Sequence, residues 1–141
     1  MAKVTGPFLM QFSKDETIEI NPKILRIFVS DQYTRIDFGY MPDDIYDYGW
    51  WITIDRNTYV QVRDSSKKYV FKEAIGIPVT PDKWEFDSIM DWKVFTLLFE
   101  PIPMKDCTID VIENLEPGGN FFNYYNISLS MENRIVCLDE L

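Results

Sequence analysis

Paired carboxylates, two thiols and a cluster of aromatic rings are the side chains here whose types could do chemistry. Asp110 and Glu113 flank Val111-Ile112 at the end of an apolar run. Successive side chains of a strand point to opposite faces, so Asp110 and Glu113 fall on different ones. Glycoside hydrolysis needs two carboxyl groups facing each other across about 5–9 Å, and this spacing does not supply them. Asp43, Asp44 and Asp47 crowd one short segment. Calcium takes oxygen-rich loops, but the glycine and closing glutamate of an EF-hand loop are missing. A solvated acidic loop is the expected reading. The chain contains no histidine, which removes Ser–His–Asp and Cys–His nucleophile arrangements and the commonest nitrogen donor to zinc. Ser65, Ser66 and Lys67 could be drawn as a Ser–Lys pair, but Asp64-Ser65-Ser66-Lys67 has the composition of a turn. Gly118-Gly119 is too small a cluster to cradle phosphate, and no helix start follows it.

Cys107 and Cys137 are the only cysteines. Two are too few for a disulfide framework. Both read as ordinary thiols, Cys107 half-buried, with a Cys107–Cys137 bridge as the alternative. Asn126-Ile127-Ser128 is a glycosylation sequon, relevant only in a eukaryotic secretory setting. The sharper lead is aromatic. Trp50 and Trp51 are neighbours, so in a strand they face opposite sides. One belongs to the core; the other meets solvent, a partner or a covering loop. Trp51, with Tyr46 and Tyr48, is the candidate ligand-binding platform, since sugars stack on such rings and proteins anchor on them. Packing under a covering loop competes with that role. No catalytic residue, metal ligand or cofactor is assigned.

The elements that must position these residues read as strands. The chain has 141 residues, 46% hydrophobic and 16% aromatic. That length fits one domain of about 100–200 residues and needs no staples to hold a core. Period-two alternation marks Ile24 to Val29, Tyr33 to Tyr40, Trp50 to Ile54, Thr58 to Arg63 and Tyr69 to Phe71. Trp50 to Phe71 reads as a three-strand meander, with turns at Asp55-Arg56-Asn57 and after Asp64. Thr80-Pro81-Asp82 suits a helix start, giving one helical turn with Trp84 and Phe86. Trp92 to Glu113 holds two apolar runs around a corner at Pro101 and Pro103, read as two adjacent strands. Glu116-Pro117-Gly118-Gly119 is a turn signal, and Phe121 to Leu129 a strand with Tyr125, Ile127 and Leu129 on one face. Residues 1–16 suggest an edge strand or arm, and residues 131–141 a tail strand.

The net charge is −9. A nucleic-acid binder shows a basic stripe, and only Lys67-Lys68 clusters here. Nucleic acid and anionic membrane surfaces are disfavoured as partners. No run approaches the ~20 apolar residues of a membrane helix. No signal peptide is read at the start, so the chain is expected in the cytoplasm; a trimmed exported protein would read the same.

The strings GWWITI (Gly49 to Ile54), TYVQ (Thr58 to Gln61), KKY (Lys67 to Tyr69), GIP (Gly76 to Pro78), FTLLFEPIP (Phe95 to Pro103), IDVIE (Ile109 to Glu113) and FFNYYNISL (Phe121 to Leu129) together resemble an uncharacterised module of gut commensal bacteria. That module stands alone or ahead of a thioredoxin-like domain. The resemblance spans Lys23 to Ser130. It implies an immunoglobulin-like β-sandwich and no activity, and no Cys-x-x-Cys is present to carry a redox role.

The expected fold is therefore an all-β, immunoglobulin-like sandwich of two packed sheets, with about 7–9 short strands. Its inner faces would hold Leu25, Ile27, Ile36, Phe38, Trp50, Ile52, Ile54, Val60, Phe95, Leu97, Phe99, Ile109, Ile127 and Leu129. A small lipocalin-like barrel is the alternative. The expected function is a non-enzymatic binding or interaction module for a protein or a glycan. The alternatives are carbohydrate binding through exposed aromatics and a barrel holding a small apolar ligand.

Overall fold

The structure, a computed structural model, describes residues 6–13, 22–40, 51–52, 54–77, 79, 84–85, 93–115 and 122–136, with the backbone alone for 51–52, 84–85 and 132–136. Every regular element in them is a strand: β1 (Phe8–Ser13), β2 (Lys23–Val29), β3 (Thr34–Tyr40), β4 (Trp51–Ile52), β5 (Tyr59–Val62), β6 (Lys68–Ile75), β7 (Trp84–Glu85), β8 (Lys93–Phe99), β9 (Cys107–Ile112) and β10 (Tyr124–Val136). The all-β expectation holds. The two-sheet sandwich does not. Eight strands close into one antiparallel barrel in the order β1-β10-β9-β5-β6-β8-β3-β2, and β2 pairs back onto β1. Closure removes sheet edges, and the apolar stripe of every strand then faces one shared interior. The barrel is not a simple meander either, because β3 neighbours β8 and β5 neighbours β9.

The antiparallel register gives the barrel two unlike ends. At one end, here the mouth, β1, β3, β6 and β9 finish and β2, β5, β8 and β10 begin. Segments 14–22, 41–58, 76–92 and 113–123 join strands there. The base carries only the turns at 30–33 and 63–67 and the corner at 100–106. β4 and β7 pair with each other, and Ile54 bridges Val79, so two of the mouth connections are stitched together. This corrects the meander from Trp50 to Phe71: β5 and β6 form a hairpin, but Trp51-Ile52 pairs with Trp84-Glu85 instead of β5. It also replaces the helical turn at Trp84 with a strand; Thr80 to Lys83 and Phe86 lie outside the described residues.

The strands flanking Pro101 and Pro103 exist as expected but are not neighbours. β8 lies between β3 and β6, and β9 between β5 and β10. Prolines cannot donate to a ladder, and the corner is fixed elsewhere. Buried Thr34 donates its hydroxyl to Glu100 O (3.0 Å) and accepts from Ile102 N–H (3.0 Å). The chain is thereby drawn across the base to the far side of β5.

The core runs down the barrel axis. Ile27, Ile36, Phe38, Ile54, Val60, Phe95, Leu97, Phe99, Ile109, Ile127 and Leu129 are buried as expected. Trp50 lies outside the described residues, as does the side chain of Ile52. Leu25 is a correction: it is 42% exposed on the outer wall. The register steps from Ile24↔Phe38 to Arg26↔Asp37, so Leu25 is an inserted residue, and a bulge of this kind reverses the facing of everything beyond it. β10 does the same between Tyr124↔Val111 and Ile127↔Ile109. Asn126 takes φ 59° there, a left-handed conformation asparagine tolerates better than most residues. Tyr124 is consequently the buried ring and Tyr125 the exposed one, the reverse of the expected facing.

Candidate functional site

The platform read from the sequence is not described as a site. Tyr46 and Tyr48 lie outside the described residues, and of Trp51 only the backbone, in β4, is described. Asp43, Asp44, Asp47, Cys137 and the Glu116 to Gly119 turn also lie outside them. The structure instead gathers Phe38 and Phe95, expected in the core, with Tyr124, expected on the opposite face, at the barrel mouth.

Phe38 near the end of β3 stacks on Phe95 near the start of β8, with ring centroids 5.1 Å apart and planes 14° from parallel. Phe38 also tilts against Tyr124 at the start of β10, at 5.7 Å. Tyr40 meets Phe122 at 6.4 Å. Offset or tilted pairs at these distances contribute about 0.5–1.5 kcal/mol beyond area burial. Around the rings lies a small recess of about 10 Å³, room for about one water molecule, lined by Pro22, Phe38, Ile54, Thr58, Phe95, Leu97, Val111, Phe122 and Tyr124. Its two hydroxyl protons are committed: Tyr124 Oη donates to Pro22 O, and Thr58 Oγ1 donates to Asp55 O at 2.5 Å. Burial and the nearby charge of Glu113 push the Tyr124 phenol well above its ordinary value. The recess thus offers apolar surface and oxygen lone pairs, with both hydroxyl donors already engaged.

Glu113, at the end of β9, is the buried carboxylate beside this recess and is not part of its lining. Oε2 accepts from Asp55 N–H and Oε1 from Phe122 N–H, both at 2.9 Å. One side chain so fastens two mouth connections. Its own N–H donates to Asn123 Oδ1 at 2.8 Å, and Asn123 Nδ2 donates to Asn114 O at 2.7 Å. Burial raises the Glu113 carboxyl above its ordinary value; the two N–H groups pull it down, and Asp55 pushes it up further. Asp55 spends Oδ1 on Asn57 N–H at 2.8 Å, forming the expected turn. Asp110 faces elsewhere, as the spacing required: on the outer wall it accepts from Asn126 N–H at 2.8 Å and pairs with Arg63 at 3.5 Å.

The remaining candidates have local roles. Ser65 Oγ accepts from Lys67 N–H, and Lys67 Nζ lies 4.8 Å from the Tyr69 ring centroid, a turn and a cation–π contact. Cys107 is a half-buried free thiol whose ionisation burial pushes up. Sequence reasoning had weighed Glu113 only as a partner for Asp110. The available signal was the pair Asn114 and Asn123 bracketing a connection that follows a buried strand. No family model, curated protein or solved structure matches the chain.

Proposed function

We propose that the chain is a non-enzymatic binding module that engages a partner protein at the barrel mouth. The observation that carries this reading is the barrel's asymmetry: a closed scaffold whose long connections gather at one end, above a packed aromatic floor. Binding residues gather where loops are held by a rigid frame. Cargo pockets run to about 300–1,000 Å³, so a recess of about 10 Å³ is filled by its own rings and favours contact at the mouth over enclosure of a ligand. The segments tethered to this rim hold, by sequence, thirteen acidic and three basic residues, which favours a partner with positive charge around its anchor.

The carboxylates at the mouth support the non-enzymatic part. Both Glu113 oxygens and Asp55 Oδ1 are spent on backbone N–H groups, so neither is poised as a free acid or base. Arg26, Arg35 and Arg63 stand on outer walls around an apolar interior, the inverse of a membrane barrel. A barrel holding a small apolar ligand is the second reading, supported by the apolar lining and opposed by a recess volume of about 10 Å³.

NMR of the full chain, titrated with a basic peptide alternating Lys and Leu and separately with indole, tests it. Peptide shifts confined to the mouth residues Asp55, Asn57, Asn114 and Asn123 are expected. Indole shifts at the Leu97, Val111 and Ile54 methyls favour the small-ligand reading, and no shift with either removes both. Oligosaccharide titration followed by Trp fluorescence separates the glycan alternative.

A further inference from the structure

We propose a second docking surface, on the outer wall of β2, β3, β8 and β6, that takes an acidic protein segment with apolar side chains. The register lays this wall out as a grid. Lys23 pairs with Gly39 and Gly39 with Val94; Arg26 pairs with Asp37, Asp37 with Thr96 and Thr96 with Ile75; Phe28 pairs with Arg35, Arg35 with Leu98 and Leu98 with Glu73. Ile36 and Phe38 point inward, so these alternate positions point out.

The upper part of the grid is apolar. Leu25, Val94 and Ile75 are 42%, 53% and 51% exposed. They belong together because Gly39 leaves room between them: a Cβ there would stand 3.2 Å from the Leu25 side chain. Leu25 therefore lies over Gly39 towards Val94, and Val94 is the diagonal neighbour of Ile75.

The lower part is cationic. Arg26 Nε and Arg35 Nε hold the Asp37 carboxylate at 3.0 and 2.9 Å, and Thr96 Oγ1 donates to it at 2.7 Å. Asp37 is hidden although it points outward. Two guanidinium groups thus share the Asp37 carboxylate. Arg35 also lies 5.0 Å from the Phe28 ring centroid. Lys72 reaches across to Gln32 O at 3.3 Å. With Lys23 and Glu73 counted, the described groups of this wall sum to net +2 in a chain of net −9.

An exposed apolar patch rimmed by polar residues marks an interaction surface, and a rim of net positive charge selects a partner of net negative charge. A second copy meeting this wall through the same wall would oppose like charge to like. The occupant that fits is an acidic segment of another protein, its apolar residues on Leu25, Val94 and Ile75.

The test uses the full chain and a short fluorescent peptide alternating Glu and Leu, read by anisotropy. Binding should weaken by at least about fivefold in Val94→Asp and in Lys72→Glu, weaken with added salt, and survive Tyr125→Ser on β10. A twin peptide with Lys for Glu should show no Val94-dependent binding. Equal Val94-dependent binding of both peptides, or no binding of the Glu peptide, overturns the proposal. So does sedimentation showing a self-associated chain that Val94→Asp disperses, or phosphatidylserine vesicles replacing the peptide as the Val94-dependent ligand.

Discussion

At the scale of single residues, Glu113 shows how position outweighs type. Two buried N–H groups depend on its carboxylate. Glu113→Ala leaves both unsatisfied and should lower stability by about 2–3 kcal/mol, measured by urea unfolding. The pH dependence has a definite sign. The folded-state carboxyl ionises above its ordinary 4.5, so the folded chain holds this proton more tightly than the unfolded one. Glu113 therefore contributes most stability below 4.5, and that contribution is lost as pH rises through the folded value. Unfolding curves of the native chain against Glu113→Gln should diverge in that window, with the native chain relatively more stable on the acid side. Cys107 behaves in parallel: burial raises its ionisation, so alkylation at neutral pH should be slower than for a free cysteine. The half-buried thiol was legible from its place in an alternating run. The role of Glu113 was not, because it depends on Phe122 and Asp55, distant in sequence and joined only at the mouth.

At the scale of elements, period-two patterning located the strands well, because a half-buried strand must alternate. It failed where one residue was inserted. Leu25 and Asn126 each break the alternation, and nothing in composition distinguishes an inserted Leu from an inward one. The bulge at Asn126 can be tested directly. Its φ of 59° suits glycine, whereas a β-branched side chain there carries roughly 1–2 kcal/mol of strain. Asn126→Gly should unfold near the native urea midpoint and Asn126→Val well below it. The corner at Glu100 to Ile102 hangs on one hydroxyl. Thr34→Val removes both its bonds and should cost about 1–3 kcal/mol, by the same measurement. Pro101 and Pro103 announced a corner; the destination of the chain after it was set by Thr34, which reads as an ordinary strand residue.

At the scale of the molecule, the same strands can pair as two stacked sheets or as a closed ring, and alternation alone does not distinguish them. Eleven of the fourteen residues expected inside are buried in the barrel, since either closure buries the same stripes. The pairing of β3 with β8 and β5 with β9 was the part beyond reach. Those contacts are long-range and local pattern carries no trace of them. Ring closure is uneven: β1 meets β2 at only two register positions, Phe8↔Val29 and Leu9↔Phe28, against seven between β3 and β8. Should that joint part, the ring would uncurl into a sheet with two raw margins, each a template for a neighbouring chain. Leu9→Pro, which removes an N–H from a strand paired on both sides, should then raise strand exchange or fibril formation over the native chain, read by light scattering.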